Sequence, residues 1–494
     1  MADNDGFLFN VAQAALLCGP ANEVDTILYR QQALKDCLQN AGVIAEIYGL
    51  VVSAIEATKR KTWRITSHYP SSLLYSATDL LEMLVGMLRK LRDTAAAHAS
   101  GFNSEAFTTL FGMLERELNE EYLLSIQDHL SISKFKKGIL LSARLGDCNE
   151  SAEFILRKPS DRKRNWFERL LRKGPPGYTF RVHERDEAGA RILSEMRHRG
   201  ISRVAVALTE SADHVLCFFK MLRTELAFYI ACTNLYAKLV GKGEPLCFPV
   251  PVETGRRQHR FRELCDVTLS LRMDGRVVGN TADINGKSLV VITGANQGGK
   301  SSFLRSVAAA QLMMQCGMFV GAESFVGDVC PTLFTHYRRE EDVTMQSGQF
   351  DEELARMNEI VEHIVPNAML FLNESFAATN EREGSEIARQ IVSGLLEKGV
   401  RLFYVTHLFE FASAFFNKQR TDVVFLRAER KPDGTRTFKI TEGEPLETSY
   451  GEDLYREIFG VDGDTAMNQS EDLDQYAGLQ DVSSQRSERE CHRS

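Results

Sequence analysis

Between about residues 21 and 130, apolar residues return every third or fourth position. Leu80, Leu84, Met87, Leu88 and Leu91 share one helical face on that spacing. Glycine and proline are sparse there, so the pattern predicts several packed helices, joined at residues 68–72 and 98–103 where Pro, Ser, Gly and Asn collect. A second stripe, Val215, Phe218, Phe219, Leu222, Leu226 and Ile230, predicts a long helix running to about Leu239 and stopping before Gly241. From about residue 262 the period changes. Residues 288–292, 368–372 and 401–405 are short continuous apolar runs separated by helical patterns, as expected of strands buried on both faces of a largely parallel sheet. Residues 423–426, a Lys431-Pro-Asp-Gly434 turn and residues 437–440 predict a closing hairpin. The fold class expected is multidomain: an all-α core and lever region followed by an α/β domain.

Composition narrows this picture. The 494 residues correspond to roughly three domains. With 44% hydrophobic and 26% charged residues, the chain is neither disordered, collagen-like nor a disulfide scaffold. No run approaches the roughly 18 consecutive apolar residues of a membrane span, and the first residues carry acids where a secretory signal would be basic. A cytoplasmic address with no membrane partner is therefore expected. The 10 cysteines show no zinc or redox spacing. The net charge of −8 argues against a uniformly basic nucleic-acid coat, yet Arg157, Lys158, Arg162, Lys163, Arg164, Arg169, Arg172 and Lys173 crowd into one segment.

Chemistry enters at residue 294. Gly294-Ala295-Asn296-Gln297-Gly298-Gly299-Lys300-Ser301, followed by Ser302, fits the phosphate-loop pattern and lies between a predicted strand and a helix over about 302–316. Glycines at 294, 298 and 299 let amide N–H groups and the helix N-terminus face phosphates, while Lys300 reaches the β and γ oxygens. Ser301 is the expected Mg²⁺ ligand. A second strand ends in Asn373-Glu374, where Glu374 can serve as general base for an attacking water. Asn373 retains an oxygen acceptor but carries no charge. Weaker metal binding and slower turnover are the physical expectation.

These motifs resemble the ATPase domain of the MutS family of DNA mismatch repair proteins. Thr293 to Ser302 resembles its phosphate loop, residues 319–322 its following segment, and residues 373–380 with Gly384 its acidic strand end and loop. Thr406-His407 resembles its switch and Ser449-Tyr450-Gly451 its closing motif. The resemblance implies a P-loop, ABC-like ATPase domain using ATP and Mg²⁺, with His407 sensing the γ-phosphate or orienting water. Residues 346–354 are similar to the segment that contacts the partner subunit's nucleotide, which implies a homodimer with composite sites through Ser347, Gly348, Phe350 and Glu353. The family serine falls on Gly348, so that hydroxyl is missing.

Residues 27–38 resemble the family's opening core helix, and no counterpart of the mismatch-reading domain is found. Binding to DNA structure rather than to a mismatch is the implied function, in repair or recombination, with repair proteins as possible partners. A nucleoid-associated address, or a nuclear one in a eukaryote, goes with it. Arg162, Lys163 and Arg164 are the candidate DNA contacts. Two alternatives stay open: a nucleotide-regulated interaction protein with little turnover, and a P-loop ATPase acting on RNA or protein. The expected organisation is residues 1–156 and 206–260 as a helical core, 157–205 as a basic lever or clamp-like segment, 261–463 as the ATPase domain, and 464–494 as a polar disordered tail.

Overall fold

The computed structural model describes residues 1, 5–62, 69–135, 138–146, 151–157, 178–179, 181–338 and 348–446. The chain divides into two units, Met1–Gly241 with Met313–Phe319, and Lys242–Leu312 with Val320–Ser494.

The first unit contains helices α1 (Gly6–Cys18), α2 (Val24–Gln39), α3 (Ala41–Thr62), α4 (Pro70–His98), α5 (Glu105–Glu117) and α6 (Glu120–Ser133). Helix α4 opens on Pro70, whose fixed φ suits a first helical turn. Its buried stripe is Leu74, Ala77, Leu81, Leu84, Leu88, Leu91 and Ala95, alternating steps of three and four. Leu80 and Met87, expected on this face, lie at its flanks and are half-buried. The connection after α4 is held by Asp36 of α2, whose Oδ2 accepts the backbone N–H groups of Asn103 at 3.0 Å and Ser104 at 2.7 Å. A window in α3, Ala41–Lys61, is long and apolar enough to cross a membrane by length and composition, with mean hydropathy 1.5. Counting consecutive apolar residues missed it because polar residues interrupt the run. Ile44, Ile47, Val51, Ala54 and Ile55 of this helix are buried, as on the inner face of a core helix.

Two expectations for this region are corrected, its all-α class and its boundary at 205/206. Strands β1 (Leu140–Leu145) and β2 (Ser151–Arg157) form an antiparallel hairpin, with Leu141 opposite Leu156 and a bulge between Ser142 and Arg144. The next element among the described residues is a single 55-residue helix, α7 (Glu187–Gly241), so no element boundary falls at 205/206. Gly200 sits inside α7 because Leu141 occupies the place of its side chain: a Cβ there would lie 2.3 Å from Leu141 Cδ2. Arg162, Lys163 and Arg164, together with most of the basic segment, lie outside the described residues, as do Ser347, the 449–451 motif and the tail.

The second unit begins at Lys242, which corrects the assignment of 242–260 to the helical core. Strands β3 (Val250–Val252), β4 (His259–Leu264), β5 (Asn280–Asp283) and β7 (Ser324–Asp328) make a four-stranded sheet in the order β3-β7-β4-β5, with helix α8 (Val267–Arg272) after β4. Alternate burial of His259 and Phe261 on β4 ties this stretch to the sheet rather than to a helix.

The main sheet has the order β12-β11-β6-β10-β9-β8. Its strands are β6 (Leu289–Gly294), β8 (Leu333–Tyr337), β9 (Met369–Asn373), β10 (Arg401–Val405), β11 (Val423–Arg430) and β12 (Arg436–Glu442). All pair in parallel except β12. Helices α9 (Lys300–Gln315, of which the part to Leu312 belongs to this unit), α10 (Gln349–His363), α11 (Glu381–Glu397) and α12 (Phe409–Phe416) complete the unit. One face of the sheet buries Leu289, Val291, Leu370, Leu372, Leu402 and Tyr404 with Met357, Ala388 and Phe411 of the helices. Residues between them, such as Val290, Phe371 and Phe403, are buried on the other face, which explains the uninterrupted apolar runs. Parallel strands align their C-terminal ends, where β6, β9 and β10 each deliver a polar segment.

Candidate nucleotide site

The loop between β6 and α9 is shaped by close backbone approach. Gly294 has φ 104° and Gly299 φ 89°, left-handed values that a side chain resists. A Cβ on Gly298 would come within 2.7 Å of Ala428 Cβ and 2.9 Å of Ala295 O. Lys300 Nζ donates to the carbonyls of Gly294 and Ala295, both at 2.9 Å, and is 5% exposed. Burial pulls its pKa down to about 8; Glu374 opposes the change and Arg436 reinforces it.

Asn296, Gln297, Gly298, Gly299, Lys300, Ser301 and Ser302 line a cleft of about 500 Å³ that Glu374 also lines. Gly294 and Ala295 do not line it; their carbonyls hold the lysine instead. Ser301 Oγ donates to Asn373 Oδ1 at 2.9 Å, joining the start of α9 to the end of β9. Both are neutral oxygens, and among the described residues no group of three or more His, Cys, Asp or Glu side chains could hold a metal.

Glu374 turns away from β9 with φ 53° and Phe376 follows with φ 66°, costing about 1–3 kcal/mol each for residues other than glycine. The Glu374 N–H donates to Val405 O at 2.8 Å. His407, one residue past Thr406 at the end of β10, places Nε2 3.0 Å from Glu374 Oε1. That contact, against the opposing effect of burial and with help from Lys300 and Arg338, holds the Glu374 carboxyl below its ordinary pKa. An ionised carboxylate thus lines the cleft beside the phosphate loop.

The segment expected to face a partner subunit turns inward where it is described. Gly348 is the exposed N-cap of α10, but Phe350 packs against the sheet core. Glu353 is 1% exposed and its Oε2 accepts the Phe376 N–H at 3.0 Å within the same unit. Phe350 is half-buried and Glu353 fully buried within this unit.

The apolar wall of the cleft was not legible in the sequence. Leu264, Leu269, Met273, Val277 and Val278 supply most of it, and Phe438 supplies an aromatic ring. Phe438 belongs to β12, on left-handed backbone at φ 58°, and is 49% exposed. Its neighbour two residues back, Arg436, donates from Nε to Asn296 O at 3.2 Å. Residues 276–280, just before the phosphate loop, carry no aromatic side chain; the ring comes from some 160 residues downstream. An exposed aromatic in a closing hairpin was the available signal.

Residues 22–241 match the family model for the MutS2 N-terminal domain, and residues 290–458 match that for MutS domain V. The chain belongs to the MutS family. MutS protein homolog 4 of Homo sapiens is 22% identical over 365 residues, which cover 70% of this chain and 36% of that protein. The DNA mismatch repair protein MutS of Desulforamulus reducens is 28% identical over 171 residues, 32% of this chain and 20% of that protein. The protein of the same name from Thermotoga sp. (strain RQ2) is 30% identical over 169 residues, 34% of this chain and 21% of that protein. The chain therefore spans between a fifth and about a third of these curated relatives. The MutS domain V match takes in the phosphate loop, Asn373-Glu374 and Thr406-His407. Residues 242–289, which carry most of the apolar wall, lie between the two MutS matches.

Proposed function

We propose that the chain binds ATP in this cleft, hydrolyses it, and uses the nucleotide cycle to control a hold on DNA. The observation that carries this reading is that one cleft with an apolar wall is lined by the phosphate loop, by Ser301, which donates to Asn373, and by Glu374, which is in contact with His407. Phosphates take the loop amides and Lys300, and the base takes the wall and the face of Phe438. Glu374 accepts a proton from the attacking water, and His407 orients that carboxylate.

Ser301 and Asn373 suit Mg²⁺, a hard cation that accepts neutral oxygens when phosphate oxygens and water complete its shell. Mg²⁺ when bound neutralises charge on the phosphates. The relatives named for mismatch repair and the basic residues between 157 and 173 support DNA as the partner. Family membership supports a homodimer working beside repair proteins in the compartment that holds DNA.

Asn373 favours a second reading, a nucleotide-regulated interaction protein with little turnover, because a neutral amide binds Mg²⁺ less strongly than a carboxylate. Steady-state hydrolysis with Mg²⁺, alone and with single-stranded, duplex, mismatched and branched DNA at two salt concentrations, separates the two. A Lys300-dependent rate that changes with DNA is expected. Nucleotide binding without turnover, indifferent to every DNA, would transfer the assignment to the second reading.

A further inference from the structure

The backbone that carries Glu374 is held from three sides by buried side chains outside the cleft. Glu353 of α10 accepts the Phe376 N–H at 3.0 Å. Tyr404 of β10, fully buried, donates its hydroxyl to Ser375 O at 2.6 Å. His336 of β8 sets Nδ1 2.7 Å from Ser375 Oγ and Nε2 3.1 Å from Glu353 O, so it joins the turn to α10. Burial takes the His336 pKa down to about 4, which leaves a neutral ring with one N–H to donate. On the remaining side Gly384 of α11 admits the Phe376 carbonyl: a Cβ there would lie 2.4 Å from that oxygen.

An ordinary helix packed on a sheet needs no carboxylate at this place. Glu353 is 1% exposed and its second oxygen has no hydrogen-bond partner among the described residues, an arrangement that costs stability and is offset by what the first oxygen holds and by the charges of Arg338 and Arg356. What it holds is the second of two left-handed residues immediately after β9, the first being Glu374 itself.

We propose that Glu353 is a positioning residue for Glu374: its carboxylate pins the Phe376 N–H and so fixes the direction in which the Glu374 side chain leaves β9. The proposal rests on the hydrolytic reading for its kinetic consequence. Glu353 then links the start of α10 to the water-activating carboxylate through one hydrogen bond and two residues of backbone.

The test compares Glu353→Met, which fills the space without an acceptor, with Glu353→Gln, which keeps one. Each is made in the parent protein and in a Glu374→Gln background, and Glu353→Ala replaces the Met variant if that does not fold. Glu353→Met is expected to lower kcat on the order of 10- to 100-fold with little change in KM for ATP, because a small misplacement of a reacting group costs that much. Glu353→Gln recovers most of the loss, and in the Glu374→Gln background neither change slows the protein further. Amide hydrogen exchange in nucleotide-free protein gives the second readout: residues 374–377 exchange faster in the Met variant and not in the Gln variant. Wild-type kcat with unchanged exchange in the Met variant, or equal losses in both variants, overturns the proposal. If the parent protein hydrolyses no more ATP than Lys300→Ala, the hydrolytic reading fails on its own, while the exchange experiment still decides whether Glu353 pins the turn.

Discussion

Ser301 Oγ and Asn373 Oδ1 meet at 2.9 Å, so the place where a metal would join loop and strand is built from two neutral oxygens. Replacing Asn373 by Asp keeps the acceptor and adds a charge. Asn373→Asp should lower the Mg²⁺ concentration for half-maximal nucleotide binding on the order of tenfold, since hard cations respond to ligand charge. Titration of Mg²⁺ against a fluorescent ATP analogue measures this, and an unmoved midpoint would take residue 373 out of the metal site.

His407 is the largest influence holding the Glu374 carboxyl below its ordinary pKa. A carboxyl held low stays ionised, and competent as a base, to lower pH. His407→Ala should therefore move the acid limb of the pH–rate profile to higher pH and slow the protein more around pH 4.5, the ordinary carboxyl value, than at pH 8. Glu374→Gln should leave ATP affinity intact and reduce kcat about 10²- to 10⁴-fold at every pH. Superimposable acid limbs for the parent and His407→Ala would show that the histidine does not tune the glutamate.

Lys300 has a pKa of about 8 in place of 10.5. Below about 8 the ammonium attracts phosphate; above it the amine does not. ATP affinity should weaken as pH rises through 8, by up to about tenfold per unit, and Lys300→Ala should abolish that dependence. Between about 8 and 10.5 the unfolded chain binds a proton that the folded chain lacks, so this group makes the nucleotide-free protein more stable as pH rises. Calorimetric titration across pH 7–10 checks the affinity, and thermal unfolding over the same range checks the stability.

Phe438 offers a half-exposed ring beside the phosphate loop. Phe438→Ala should weaken ATP binding on the order of tenfold, consistent with about 1–3 kcal/mol for base stacking on an aromatic side chain. Inorganic tripolyphosphate, which has no base, should bind both proteins equally. Equal ATP affinities in the two proteins would place the base elsewhere.

Much of the second unit could be read from residues adjacent in the chain. The runs at 289–292, 369–372 and 401–405 are apolar throughout because each strand is covered on both faces, and the phosphate loop is recognisable because eight consecutive residues make it. In the first unit the helical period was clear, but its phase was not. Leu80 and Leu81 fit a period near 3.6 almost equally, and the packing of neighbouring helices decided that Leu81 goes inside. The hairpin at 140–157 escaped because it is short and a long helical pattern follows it.

The residue types, their local periods and the order of the motifs were thus present in the linear chain, since a turn, a strand or a phosphate loop depends on near neighbours. Other features required the folded sheet. These are the meeting of Glu374 with His407 across 33 positions, the Phe438 wall opposite the phosphate loop, and the inward turn of Glu353 toward Phe376. Which side chain reaches which backbone group depends on strand order and on crossovers that bring distant segments to one edge, and no periodicity along the chain encodes those distances.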